Sequence, residues 1–184
     1  MPELAKIVLL VANGIGAFAL LLLIISVGTT TWLDDGQGNT VGLFRKCYGD
    51  NATNIISNAT AGCVNENRST QGGLSIFGLL MLAFSVIVGI PGVILQRPLL
   101  LWISLGLMYV SSIFVMSAYA SWGVYSRDPV LFVFPQPVSS ETRHTSMGAS
   151  YNLCAASHYF LWTALTLLAF GIGVSFGQPS PSSN

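Results

Sequence analysis

Four long apolar runs separated by polar segments set the pattern of the chain. Each run is about 20 to 30 residues long, and every charged residue lies outside them. About 20 apolar residues are needed for a helix to cross the roughly 30 Å hydrocarbon core of a bilayer. Backbone groups in lipid must bond within their own segment, which favours helices. The pattern therefore predicts four transmembrane helices, at residues 7–27, 73–95, 99–125 and 153–176.

The polar segments predict how a single domain, residues 1–184, is organised around these spans. A first loop covers residues 28–72, a short turn 96–98, a second loop 126–152 and a tail 177–184. Charged residues make up 8% of the chain, against about a quarter in soluble domains, so the lipid bilayer is the expected surrounding partner. Seven basic residues balance seven acidic ones, which argues against nucleic-acid binding.

The first loop carries the residue types of a small sheet. Residues 29–33 are strand formers, a turn cluster follows at 36–39, and residues 40–48 resemble a second strand. Two such strands around a glycine-rich turn predict a hairpin. Residues 54–57 and 60–64 are predicted to add short strands.

The chemistry of the same loop indicates its side of the membrane. Three glycosylation sequons, at Asn51, Asn58 and Asn67, lie in this loop and none lies elsewhere. Cys47 and Cys63 share the loop, as expected for a disulfide in an oxidising compartment. We predict an extracellular loop on a plasma-membrane protein whose two termini are cytosolic. The basic residues argue the other way, because five of the seven lie in the predicted outer loops.

The second loop contains an apolar run that needs a partner. One hypothesis is a strand added to the sheet of the first loop, and another is a contact point for a second protein or the opposing membrane. Both can hold, since alternate side chains of a strand face opposite ways. The residues are Val130, Leu131, Phe132, Val133, Phe134 and Pro135.

Polar residues inside the spans favour packing over catalysis. Asn13 is expected to hydrogen-bond across helices, His158 to be a hydrogen-bonded packing residue, and Cys154 to be a buried small side chain. The sequence contains two histidines, and it has no pair of acidic residues within the predicted spans. We expect no enzymatic activity, no bound metal and no cofactor.

Two sequence motifs resemble the claudin superfamily, which includes claudins, peripheral myelin proteins, epithelial membrane proteins and gamma-type channel auxiliary subunits. The first motif is Trp32, then Gly42-Leu43-Phe44, then Cys47 and Cys63. The second is Met147-Gly148-Ala149-Ser150-Tyr151, which opens the last span.

This resemblance implies a left-handed four-helix transmembrane bundle capped by a small antiparallel extracellular sheet. Four strands would come from the first loop and one from the second. Trp32, Gly42, Leu43 and Phe44 would seat the sheet on the helix ends, and a Cys47–Cys63 disulfide would join two strands.

The resemblance also implies a structural role, in which the extracellular sheet mediates cell–cell contact or forms a paracellular barrier or pore through a homo-oligomer. Asp34, Asp35, Arg45 and Lys46 are candidates for the charge-selective lining of such a pore, but the interpretation that we favour for them is a solvated loop face, and their mixed signs indicate no ion preference. In the alternative, the chain binds a heteromeric membrane partner and is the auxiliary subunit of a channel or receptor. It could also be a general membrane organiser like the epithelial membrane proteins. The sequon-bearing insert between the cysteines favours the alternative.

Overall fold

Four long helices form the body of the molecule. The computed structural model describes residues 3–34, 36, 38–48, 62–65, 69–126 and 146–176. The four predicted spans are confirmed as helices that are long and apolar enough to cross a membrane. Each begins before its apolar run, because only the central part of a spanning helix must be apolar. The helices are α1 (Glu3–Gly28), α2 (Ser69–Ile94), α3 (Pro98–Tyr125) and α4 (Ala149–Phe176).

The helices pack most extensively in two pairs, α1 with α4 and α2 with α3. Small residues permit the close approach that helices in lipid need. A Cβ placed on Gly78 of α2 would lie 2.9 Å from Val115 Cγ2 of α3, and one on Gly171 of α4 would lie 2.7 Å from Leu9 Cδ2 of α1. Gly16 lies at the bundle centre, where a Cβ would be 3.1 Å from Met108 Cε.

Serines supply hydrogen bonds across both pairs. Ser85 Oγ donates to the Ser104 carbonyl at 2.8 Å, and Ser104 Oγ donates to the Ser85 carbonyl at 2.9 Å. A hydroxyl that binds a neighbouring backbone carbonyl joins two helices and leaves no unpartnered donor in the apolar interior. Similar bonds run from Ser111 Oγ to Gly78 O at 2.7 Å and from Ser157 Oγ to Ala19 O at 2.8 Å.

Asn13 does not make the expected hydrogen bond across helices. Its Nδ2 donates to the Leu9 carbonyl of its own helix at 2.9 Å. Its buried Oδ1 has no hydrogen-bond partner among the described residues and lies against the backbone of Gly89 in α2, where an added Cβ would overlap it. Asn13 therefore contributes to helix packing by close contact.

The turn between α2 and α3 is as short as predicted. Helix α2 continues through Pro91 to Ile94, Gln96 takes a positive φ of 52°, and Pro98 occupies the first turn of α3. Proline suits that position because its missing N–H has no intrahelical partner there. The turn lies at the end of the bundle opposite the sheet.

A five-stranded antiparallel sheet lies at the other end, which we call the sheet end. Its order is β4-β3-β2-β1-β5. The predicted hairpin is confirmed as β1 and β2, and the turn between them places Gly36 and Gly38 at positive φ. Four strands come from the first loop and one from the second. They are β1 (Leu33–Asp34), β2 (Thr40–Val41), β3 (Arg45–Tyr48), β4 (Gly62–Asn65) and β5 (Ser146–Met147).

Two strand predictions need correction. Residues 40–48 are not one strand, because the chain reverses at Gly42, whose N–H donates to the Arg45 carbonyl at 2.8 Å, so that β3 pairs back on β2. Residues 29–31 lie outside β1, which begins at Leu33. The strand predicted at 60–64 is observed as β4, and the one at 54–57 lies outside the described residues.

Candidate functional site at the sheet end

A disulfide joins the two strands at the free side of the sheet. Cys47 in β3 and Cys63 in β4 are bonded, with their Cα atoms 4.1 Å apart. They are also directly opposite in the β3–β4 register, which brings their side chains onto the same face. The predicted disulfide is confirmed. Because the sheet is small, this covalent link contributes much of what holds β4 in place.

Trp32 connects the sheet to the ends of three helices. Its side chain is fully buried, and its Nε1–H donates to the Ser26 carbonyl near the end of α1 at 2.8 Å. Its ring packs edge-on against Trp122 of α3 at 5.3 Å and Tyr151 of α4 at 6.2 Å between centroids. An indole buried with its N–H bonded fixes both the position and the orientation of the attached chain.

The backbone around Trp32 is bonded on both sides. Trp32 N–H donates to the Val41 carbonyl, and Gly148 N–H donates to the Trp32 carbonyl, both at 3.0 Å. Ser150 N–H donates to the Thr31 carbonyl at 3.0 Å, which places the start of α4 directly beside this segment. At Gly148 a Cβ would overlap the Thr31 carbonyl oxygen. Only glycine permits this approach.

The hydroxyl of Ser150 is the centre of a polar network that sequence reasoning missed. It lies 2.6 Å from Thr29 Oγ1 and 2.7 Å from Thr31 Oγ1, and it accepts the Thr31 N–H at 3.2 Å. Ser26 Oγ donates to the Ser150 carbonyl at 2.7 Å. Strand propensity predicts that these threonines lie in a strand, but their hydroxyls fasten the end of α1 to the start of α4. The small-residue stretch around Gly148 was the available signal.

The corner between β2 and β3 packs against the segment that follows α1 and against the start of α2. Leu43 is buried, and a Cβ on Gly42 would lie 2.8 Å from the Thr30 Cα. The ring of Phe44 lies against Gly72 at the start of α2, where an added Cβ would be 2.7 Å from Cε1. The geometry therefore agrees with the seating role expected for Trp32, Gly42, Leu43 and Phe44.

The two faces of the sheet differ. Directly paired residues share a face, and the face toward the helices carries buried Leu33 and Val41. Along this face burial falls from Val41 to half-buried Lys46 in β3 and exposed Val64 in β4, so the β3–β4 pair extends past the helix ends. The opposite face carries Ser146, Asp34, Thr40, Cys47 and Cys63.

The strand register places the charged residues that are candidates for lining a pore on two different faces of the sheet. Strand alternation places Arg45 on the same face as Cys47, hence with Asp34, whereas Lys46 lies on the helix-side face. The Asp34 carboxylate already accepts the Gly36 N–H at 2.8 Å in the hairpin turn. Arg45 is exposed. It also borders a groove of about 450 Å³ whose other lining residues are Val27, Gly28, Thr29, Thr30, Gly42 and Phe44.

His158 is a packing residue, as expected. The Trp162 Nε1–H donates to His158 Nε2 at 2.9 Å, and Tyr119 Oη lies 3.2 Å from His158 Nδ1. Cys154 is buried one turn away. Within the described part of the chain, no three His, Cys, Asp or Glu side chains are grouped to hold a metal ion.

Several predicted site residues lie outside the described residues. They are Asp35, the sequon residues Asn51, Asn58 and Asn67, and the apolar run Val130, Leu131, Phe132, Val133, Phe134 and Pro135. Among the described residues, the second loop contributes the strand Ser146–Met147.

Comparison with known proteins gives no family assignment. The sequence matches no protein-family model, and it matches no curated protein. The resemblance to the claudin superfamily therefore depends on the four-span layout and on the Trp32, Gly42-Leu43-Phe44, cysteine and Met147–Tyr151 motifs.

Proposed function

We propose that this chain is a claudin-like tetraspan membrane protein that acts without catalysis, through the sheet held at one end of its bundle. One observation carries the proposal. The buried Trp32 and the Ser150 network fasten the sheet to α1, α3 and α4. At the side of the sheet away from β5, the Cys47–Cys63 disulfide joins strands β3 and β4. A sheet held in this way suits recognition of another protein, because little ordering is needed on binding.

The proposed sidedness places the sheet outside the cell and both termini in the cytosol, at the plasma membrane. The disulfide supports this orientation, since such bonds persist in oxidising compartments. The three sequons at Asn51, Asn58 and Asn67 support it independently, because they lie between or beside the strands that the disulfide joins.

The proposed contact surface combines the outward face of the sheet with the apolar run of the second loop, residues 130–135. Arg45 and Asp34 share the outward face, so they remain the candidates for a charged lining if copies assemble into a pore. We leave Lys46 out of that set, because it pairs with Val41 on the helix-side face of the sheet.

A suspension assay tests this role. Poorly adherent cells expressing the chain are expected to aggregate, and the double variant Cys47→Ser, Cys63→Ser is expected to reach the surface and aggregate much less. Cys154→Ser, at the buried third cysteine, is the matched control and should aggregate like the parent. Freeze-fracture of the contacts should show strands of particles. Parent cells that carry the protein at their surface and stay single would contradict the contact role.

A second candidate function is an auxiliary subunit of a larger channel or receptor. The insert between Cys47 and Cys63, with sequons at Asn51 and Asn58, favours it, because glycans there would obstruct packing between opposed cells. Stoichiometric co-purification with one channel or receptor in mild detergent, together with single cells in the assay above, would support this alternative.

A further inference from the structure

The groove that Arg45 borders lies between the end of α1 and the corner that joins β2 to β3. Its volume of about 450 Å³ is within the range of ordinary small-molecule sites. Arg45 is exposed, and the other residues that line the groove are glycines, threonines, a valine and a phenylalanine. The groove is therefore positively charged.

The charge of Arg45 is not used by the protein itself. Among the described residues its guanidinium makes no salt bridge. By register, Asp34 lies two strands away on the same face, at least about 9 Å distant between Cα atoms, and its carboxylate accepts the Gly36 N–H. A guanidinium binds a phosphate group through two parallel hydrogen bonds. Arg45 thus suits a phosphate in this groove.

A second donor lies next to Arg45. A Cβ on Gly42 would lie 2.8 Å from Thr30 Cα and 3.4 Å from the Arg45 carbonyl oxygen, so Thr30 and the Arg45 backbone meet across this glycine. The Thr30 hydroxyl has no hydrogen-bond partner in the part of the chain that the structure describes, whereas Thr29 Oγ1 donates to the Ile25 carbonyl at 2.7 Å. Thr30 and Arg45 can therefore bind the same phosphate group.

The α1 side of the groove has the opposite polarity. The last four carbonyls of a helix have no partner within the helix, and they form the negative end of its dipole. At the end of α1, the Ile25 and Ser26 carbonyls are bonded by residues of the segment that follows. Val27 and Gly28 line the groove, and no donor among the described residues bonds their carbonyls. These two oxygens suit an ammonium group.

The position of the groove indicates that its ligand is a lipid. Helix α1 has 26 residues and is long and apolar enough to cross a membrane. At 1.5 Å per residue it is about 39 Å long, which exceeds the roughly 30 Å hydrocarbon core. The ends of a helix that crosses this core therefore lie among the lipid headgroups, and the groove lies at one of these ends. Phe44, 38% exposed, and Val27 add apolar surface for the glycerol and the upper acyl chain.

A phosphate linked to an ammonium group with three N–H donors is the headgroup of phosphatidylethanolamine. We propose that the groove binds this headgroup, with its phosphate on Arg45 and Thr30 and its ammonium on the carbonyls of Val27 and Gly28. The inference depends neither on which side of the membrane carries the sheet nor on the function of the sheet. A lipid held there would leave Asp34 as the charged candidate on the outward face.

Native mass spectrometry of the full-length protein in mild detergent tests the site. Short-chain phosphatidylethanolamine is titrated in, and the fraction of protein that carries one lipid gives the dissociation constant. Arg45→Gln is expected to weaken binding by roughly 10- to 100-fold, the loss expected for hydrogen bonds to a charged group. Lys46→Gln removes the same charge from the next residue, which does not line the groove, and should bind like the parent. An unchanged Arg45→Gln, or an equal loss in Lys46→Gln, would overturn the proposal.

Competing ligands identify the headgroup. Phosphatidylglycerol has the phosphate without an ammonium, and phosphatidylcholine has an ammonium without N–H donors. Each is expected to bind roughly 5-fold more weakly than phosphatidylethanolamine, because the bonds to the α1 carbonyls are missing. Inorganic phosphate at the same concentration should not displace the lipid. Equal binding of phosphatidylglycerol, or displacement by inorganic phosphate, would contradict the proposed ligand.

A steric variant tests the location. Gly28→Leu adds a side chain in the groove, and its Cβ meets nothing within 4 Å, so the fold should be retained, as circular dichroism checks. Lipid binding is expected to be lost. Gly14→Leu, at an equally unobstructed glycine of α1 that does not line the groove, is the matched control and should bind like the parent. Parent-like binding by Gly28→Leu would contradict the assignment of the lipid to this groove.

Discussion

The middle of the bundle and the sheet end are held together in different ways. In the middle, the helices approach closely at Gly78, Gly89 and Gly171, which have no side chain, and single serine hydroxyls bond across the pairs. At the sheet end, close approach at Gly148 is joined by larger groups, namely the buried indole of Trp32, the hydroxyl network of Ser150 and a disulfide. Added volume should therefore damage the bundle, while removed groups should release the sheet and leave the helices packed.

Trp32→Ala is expected to have the largest effect and to act on the sheet. It removes the ring contacts with Trp122 and Tyr151 and the hydrogen bond to Ser26, and truncations of this kind cost about 3–5 kcal/mol. Limited proteolysis should cut the first loop far faster than in the parent, while helical circular dichroism is retained. Phe84→Ala, at an exposed α2 position, should leave proteolysis unchanged. A variant that loses helix and sheet together would contradict the separation of the two regions.

Gly89→Val is expected to have the next largest effect and to act on the bundle. The added side chain overlaps Asn13 Oδ1 and comes within about 2.7 Å of Ser104 Oγ, so destabilisation of about 3 kcal/mol is expected from overpacking. Thermal unfolding followed by circular dichroism measures it. Gly14→Ala, where an added Cβ meets nothing within 4 Å, is the control. Adding Asn13→Ala should restore part of the loss, and a double variant no more stable than Gly89→Val would contradict the stated contact.

Ser150→Ala is expected to have the smallest effect. It removes the acceptor of the Thr31 N–H and the link between two threonine hydroxyls, which should cost about 1–2 kcal/mol. We expect faster proteolysis of the first loop than in the parent and little change in the thermal unfolding of the helices. Ser175→Ala, whose hydroxyl bonds only to the Gly171 carbonyl of its own helix, is the matched control. Equal effects of the two substitutions would show that the network does not hold the sheet.

The spans and the disulfide could be predicted from sequence because their causes are local. A run of apolar residues defines a spanning helix wherever the rest of the chain lies, and two cysteines in one sequon-bearing loop are typical of a disulfide. The reversal at Gly42 was not predicted from strand propensity, since strand-forming residues such as Val41 and Phe44 lie on both sides of this glycine. It follows from contact with Thr30, a tertiary feature.

The candidate site was predictable only in part for the same reason. Trp32 and Phe44 were identified by resemblance, but the role of Ser150 requires α1 and α4 to meet. The separation of Lys46 from Asp34 and Arg45 requires the strand register, which the hydrophobic pattern of such short strands does not determine.

The central claim is that a disulfide-closed sheet is held at the extracellular end of the bundle. Its most direct test is cysteine labelling on intact cells with a membrane-impermeant maleimide polymer, before and after an impermeant reductant. We predict no labelling before reduction and two labels per chain after it, both lost in the variant Cys47→Ser, Cys63→Ser. Labelling of Cys47 and Cys63 without reduction, or only after the cells are permeabilised, would contradict the claim.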